Sequence, residues 1–303
     1  MHKFLTLSVL LNLSLLGGVF AQGHHHAMSH HVNTKPKSHV HKKNYLNAIK
    51  IAGGIGYSAY QGDLSEAKFS TVPRPSIQFG INYRVNERFM IRGDVAWIRL
   101  FGQDTKDNAN RNLSFRSSNF EATIGGSFDI LKYNPVYRRR RMILPYVTAG
   151  IGLLYFNPRG EYNGTWTSLR PLQTEGKSYS PFTMVIPMGL GARIKVKDHW
   201  DLCLEGVFRY TFTDYLDDVS GNYANYTKGT EQANYGYKGD YAPTNPDKSV
   251  DYQWLNGRQR GNSGKNDTYY SIMVRAEYTI KVTKQKGHTI NRVYSPKFKS
   301  RRK

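Results

Sequence analysis

One cysteine, Cys203, stands in 303 residues, so no intramolecular disulfide can form. It is far from any processing site that would lipidate it, and within an alternating apolar run it reads as a small packing residue. Acidic residues are scarce: 22 Asp and Glu stand against 43 Lys and Arg, for a formal charge of +21 and a pI near 9.9. Long apolar runs are missing after the N-terminus, which excludes a later helical span. Histidine is missing from every strand half and loop that the pattern below places on the outer side; the mature chain carries it near the N-terminus, at His199 and at His288. That absence argues against a lipid-modifying enzyme, which needs a His with a Ser at the outer rim. No glycine-rich phosphate loop occurs, and neither a catalytic centre nor a cofactor is expected.

What is present is alternation. Eight runs of alternating apolar and polar residues are separated by about 13, 2, 13, 10, 25, 2 and 55 residues, long and short in turn. The runs cover about 47–60, 75–85, 88–101, 114–131, 142–156, 182–196, 200–212 and 268–282. An even number of strands with short turns at one end and long loops at the other predicts an all-β fold, an eight-stranded antiparallel transmembrane β-barrel of the outer-membrane kind. The mean hydropathy of -0.59 is compatible with it, because only every second strand residue meets lipid.

The polar face fixes which way the apolar face points. Arg84, Arg92, Asp94, Glu121, Asp129, Arg193, Glu205, Arg209, Arg275 and Glu277 occupy alternate mid-strand positions. In hydrocarbon they would be costly, so they are expected to face the lumen and to pair there. Eight strands enclose an interior that side chains can fill, which predicts a filled lumen and no open channel. A soluble ligand-binding barrel of the lipocalin kind would point its apolar face inward and its charges outward. Glycines 53, 54, 56, 189 and 191 lie in strands, where they ease curvature and make room for inward arginines.

Four segments are expected. Residues 1–21 read as a signal peptide, with His2 and Lys3 before an apolar stretch and small residues at Val19-Phe20-Ala21. Residues 22–46 read as a disordered His- and Lys-rich periplasmic arm, 47–282 as the barrel, and 283–303 as a basic periplasmic tail. Short turns at Asn86-Glu87, Lys132–Arg141 and Lys197–His199 then face the periplasm with both termini. Loops 61–74, 102–113, 157–181 and 213–267 face outside and are near neutral in sum. The basic surplus therefore lies on the periplasmic side, in the arm, the tail and the Arg138-Arg139-Arg140-Arg141 run. Such a surface suits an acidic partner or anionic headgroups, and the four arginines are the candidate partner-binding residues. Nucleic acid is not an expected partner of a secreted barrel.

Two weaker patterns remain. The histidines at 24, 25, 26, 30, 31, 39 and 41 have no fixed ligand geometry and read as a flexible arm rather than a metal site. Asp214, Asp217 and Asp218 fit no calcium-loop spacing and read as a solvated rim. The long loop 213–267 is rich in tyrosine (Tyr215, Tyr223, Tyr226, Tyr235, Tyr237, Tyr241, Tyr252) and is expected to bind a partner or fold over the barrel mouth.

Several runs resemble a family of Bacteroidetes outer-membrane barrels related to PorG, a component of the type IX secretion system. They are Tyr60-Gln61-Gly62-Asp63-Leu64, Arg111-Asn112-Leu113-Ser114-Phe115-Arg116-Ser117, Phe156-Asn157-Pro158, Leu172-Gln173-Thr174-Glu175-Gly176, the run from Arg209 to Gly221, and Arg260-Gly261-Asn262. The resemblance spans about residues 47–282 and implies a non-enzymatic part of a machine for protein secretion and gliding motility. Its implied partners are outer-membrane lipid and periplasmic or outer-membrane secretion-machinery proteins. A small OmpA-type barrel for envelope integrity or surface adhesion is the alternative.

Overall fold

A computed structural model describes residues 43–44, 47–65, 73–104, 111–239, 250–280 and 283–284. The signal-peptide expectation and nearly all of the arm and tail expectations fall outside these residues. The described residues form twelve strands: β1 Lys43–Asn44, β2 Ile49–Gln61, β3 Arg74–Arg84, β4 Phe89–Gln103, β5 Ser114–Asp129, β6 Ile143–Tyr155, β7 Pro158–Tyr162, β8 Thr165–Ser168, β9 Phe182–Lys195, β10 Trp200–Thr211, β11 Thr268–Thr279 and β12 Thr283–Lys284. Eight of them close an antiparallel barrel in the order β2-β3-β4-β5-β6-β9-β10-β11, with β11 pairing back onto β2. The short pair β1–β12 lies apart from that sheet, and β7–β8 extends β5 beyond the barrel. No helix among the described residues is long and apolar enough to cross a membrane, so every crossing is made by strands.

The strands form where the sequence alternates, and the alternation survives as burial. Along β4 the exposed and buried positions interchange, with Arg92 and Asp94 inside and Ile91 and Val95 outside. Large apolar side chains stand exposed on the barrel wall: Ile55 is 69% exposed, Leu190 70% and Phe79 61%. The largest fully buried ones are Arg84, Arg209 and Arg275. This is a soluble protein turned inside out, and it excludes the lipocalin alternative.

Toward the long loops the lumen is filled mainly by apolar side chains. There Tyr60, Leu64, Ile98, Leu100, Leu113, Phe115, Leu154, Phe156, Val185 and Tyr269 form an apolar cluster completed by Leu216 and Val219 from the long loop. The filled lumen therefore has two tiers, and the upper one is a small soluble-type core. Close packing makes glycine necessary at Gly54, where an added Cβ would lie 2.4 Å from Cγ of Arg275 on the neighbouring strand.

Candidate functional site

The ionic tier runs from the short-turn end to the barrel middle. Arg84 pairs with Asp129 at 2.8 Å, and Arg193 bridges Asp129 (2.7 Å) and Glu277 (3.1 Å). Lys50 bridges Glu277 (3.0 Å) and Asp201 (2.6 Å), and Asn82 donates to the other Glu277 oxygen. Above it, Glu205 receives Arg92 (2.5 Å), Arg275 (3.0 Å) and the Tyr146 hydroxyl (2.5 Å), while Asp94 receives Arg275 (2.7 Å) and Arg92 (3.2 Å). Highest is Arg209, on Glu121 (2.8 Å) and Ser271 (2.6 Å). The candidate ion-pair residues thus meet in one lumen, together with Lys50 and Asp201, which share inward parity with them. Such pairs add little net stability over a packed apolar core, but removing one member leaves a charge buried alone.

At the long-loop end the quoted motif runs converge. Asp63 accepts from the Asn262 amide at 2.7 Å. Glu175 accepts from the Ser220 and Gly221 amides at 2.8 Å each and from Arg260 at 3.0 Å. Arg260, 3% exposed, also reaches Asp218 and the Gly236 carbonyl. Arg111 ties the knot to Asp104 (2.6 Å), the Asp63 carbonyl and the Arg260 carbonyl. The long loop folds over the mouth as a cap with its own core of Tyr223, Tyr226, Ala233, Tyr237 and Leu255. Its helices, Glu231–Gly236 and Tyr252–Leu255, start at the side-chain caps Thr230 and Asp251.

The solvated-rim expectation for Asp214, Asp217 and Asp218 is overturned. All three are buried, at 7%, 0% and 1% exposure. Asp217 accepts from the Leu64 and Val219 amides, Asp218 from the Thr174 and Tyr179 hydroxyls, and the neighbouring Asp267 from the Leu216 amide, hydrogen bonds that water would otherwise give. Burial pushes Asp214 up to about 7 and Asp217 up to about 8, and lifts Asp267 well above the carboxylate range.

Between two of these carboxyls sits the Tyr60 hydroxyl, 2.6 Å from Asp217 Oδ2 and 2.6 Å from Asp267 Oδ1. A phenol has one proton to donate, so the second short contact requires a carboxylic acid proton. Asp217 and Asp267, both raised by burial, hold that proton as a pair. Folded carboxyls raised in this way stabilise the cap fully below the unfolded pKa near about 4, and that contribution is lost as pH rises through the folded value. The protection of the 213–239 amides, their exchange relative to the intrinsic rate at each pH, is therefore expected to fall between pH 5 and about 8. Asp267→Asn, whose amide can donate to Tyr60 while its carbonyl accepts from Leu216, is expected to flatten that slope. An unchanged slope in the variant would exclude the shared proton.

The short-turn end holds the candidate partner-binding arginines. Arg138, Arg139 and Arg141 are exposed with Lys132, but Arg140 is 7% exposed and turns inward. It pairs with Asp201 and donates to the Tyr133 hydroxyl at 2.8 Å, and Arg84 stacks 3.9 Å from the same ring. The expectation that all four arginines face a partner is corrected here: Asp201 has a second carboxylate oxygen beyond the one Lys50 uses, and Arg140 takes it. That anchor also reduces the repulsion within the run.

Residues 38–238 match the outer membrane protein beta-barrel domain family. The chain belongs to this family. As an outer-membrane barrel it resides in the outer membrane. No curated protein matches it. Among solved structures it is similar to Neisserial surface protein A, at 11% identity over 77% of this chain and 97% of that one, with a TM-score of 0.39. The attachment invasion locus protein Ail of Yersinia pestis is 12% identical over 78% and 99%, with a TM-score of 0.36. A major outer membrane protein of Thermus thermophilus is 11% identical over 77% and 100%, with a TM-score of 0.39.

Three features of this outer-membrane barrel escaped sequence reasoning. The β7–β8 hairpin was signalled by Asn163-Gly164, both with positive φ (49° and 79°), a pair that favours a two-residue hairpin turn. Lys50 was signalled by its parity with Ala52 and Gly54, opposite the outward Ile49 and Ile51. The burial of Asp217 and Asp218 had no local signal, because Leu64, Thr174, Tyr179 and Arg260, which hold them, lie in segments distant in sequence.

Proposed function

We propose that this outer-membrane barrel is a non-enzymatic component of a type IX-like protein secretion assembly. Its termini and short turns lie in the periplasm, and it docks periplasmic partners there through Arg138, Arg139 and Arg141, with Lys132 beside them. The observation that carries the reading is the division of labour within one turn. Arg140 and Tyr133 lock the turn into the barrel floor, and that holds the remaining arginines outward as a fixed cationic edge. A pre-organised charged edge loses less conformational entropy on docking than a free tail does. The filled lumen favours a scaffold over a conduit. The convergence of the motif runs on the cap agrees with a rim whose shape matters.

A photocrosslinking residue placed in turn at positions 138, 139 and 141 in living cells tests the docking. The expected result is an adduct with a periplasmic protein, lost when the other two arginines become glutamate. Adducts with lipid or peptidoglycan alone would overturn this reading and favour the small OmpA-type role in envelope integrity or adhesion.

A further inference from the structure

We propose that the outer wall built from β4, β5 and the β7–β8 hairpin binds the phosphorylated headgroup of an outer-leaflet glycolipid through Arg99, Arg116 and Arg159. The proposal rests on the orientation given above, with the long loops outside, but not on the secretion role.

On the lipid face, one rung of side chains runs in register across four strands: Trp97 opposite Phe120, Phe120 opposite Tyr155, and Tyr155 opposite Phe182. Below it the outward residues are apolar, among them Val95 and Ile124. Aromatic rungs of this kind mark the boundary between hydrocarbon and headgroups. Toward the long loops the next outward positions on β4 are Arg99 and Phe101. On β5 they are Ser118 and Arg116, and Arg159 of β7 stands directly opposite Arg116. Arg99 stands two strand residues above the rung, about 7 Å, and Arg116 and Arg159 stand four above it, about 14 Å, so the three guanidinium groups climb through the headgroup region.

All three arginines are exposed, and none forms an ion pair with a carboxylate among the described residues. Glu161 lies further along β7, opposite Trp166. Inside the barrel, by contrast, every mid-strand arginine is paired. Arg116 and Arg159 face each other across a strand pair, a like-charge arrangement that costs stability unless an anion lies between. Aromatic faces hold the groups in place: Arg116 lies 4.1 Å from the Trp166 ring centroid, and Arg74 adds a fourth cation 4.5 Å from Phe101. A stacked guanidinium keeps its N–H edge for oxygen, and a phosphate monoester offers that edge several acceptors. The site is continuous with the acyl-facing band below, so the anion that fits is one carried by a lipid.

The test is native mass spectrometry of the full barrel in detergent micelles with diphosphoryl lipid A, its dephosphorylated form, or inorganic phosphate. The expected result is retention of diphosphoryl lipid A, at least tenfold less of the dephosphorylated lipid, and no retained phosphate. The triple variant Arg99→Gln, Arg116→Gln, Arg159→Gln is expected to lose at least tenfold of the bound lipid while keeping the heat-modifiable migration of a folded barrel. Arg258→Gln, which changes an exposed arginine stacked on Trp254 in the cap, should bind as wild type does. Equal binding by the triple variant, or of the dephosphorylated lipid, overturns the proposal, as does equal retention of free phosphate. Orientation is read separately by labelling Thr165→Cys on intact cells with an impermeant maleimide, the native Cys203 being buried. An unlabelled Thr165→Cys would place this wall in the other leaflet and overturn the proposal at that step.

Discussion

Glu205→Ala is expected to prevent the barrel from folding stably. The carboxylate is 1% exposed and serves three partners at once: Arg92 by a two-point contact, Arg275, and the Tyr146 hydroxyl. Asp94 alone would then face two buried guanidinium groups. Breaking a buried pair by removing one partner costs about 3–5 kcal/mol, a large share of the roughly 5–15 kcal/mol that holds a domain together. Urea unfolding in lipid vesicles, followed by the loss of heat-modifiable migration, reads the change. A midpoint within error of wild type would mean that water reaches these groups and that the lumen is not sealed. Changing Glu205 and Arg275 together to apolar residues should cost less than the sum of the single changes, because the two groups share one contact.

Arg260→Ala is expected to release the cap while leaving the barrel closed. One guanidinium holds Glu175, Asp218 and the Gly236 carbonyl, joining the loop after β8 to both ends of the long loop. Without it two buried carboxylates lose their cation, a local cost of about 3 kcal/mol or more. The barrel strands make none of these contacts, so the loss stays in the loops. Limited proteolysis should cut within 213–267 at least tenfold faster than in wild type, with migration of the barrel band unchanged. Arg260→Lys should rescue only in part, since a single ammonium cannot reach all three partners in the geometry of a planar fork. Wild-type cutting rates in the alanine variant would mean that the cap is held by its tyrosine core instead.

The barrel was legible from the sequence because its rule is local. Period-two alternation puts Tyr83 outside and Arg84 inside, and the same rule carries around the sheet from β2 to β11. The cost of charge in hydrocarbon then decides which face is which. The upper tier was not legible, because Leu216 and Val219 lie in a run without periodicity, and their burial depends on how 55 loop residues fold back. Asp217 and Asp218 look like surface residues by type; the Leu64 amide and the Thr174 hydroxyl, from other loops, help make them interior ones. At the short-turn end the four arginines are identical in sequence terms. Only the position of Asp201 and Tyr133 at the floor of the lumen separates Arg140 from its neighbours.

The secretion role itself is tested most directly by export. In the parent bacterium, deletion of this gene is expected to leave proteins bearing type IX export signals in the periplasm and to deplete them from the culture supernatant. Re-expression of the wild-type chain should restore them, and the variant Arg138→Ala, Arg139→Ala, Arg141→Ala should not, although it inserts and folds normally. Undiminished export from the deletion strain would contradict the account and leave envelope integrity or surface adhesion as the role of this barrel.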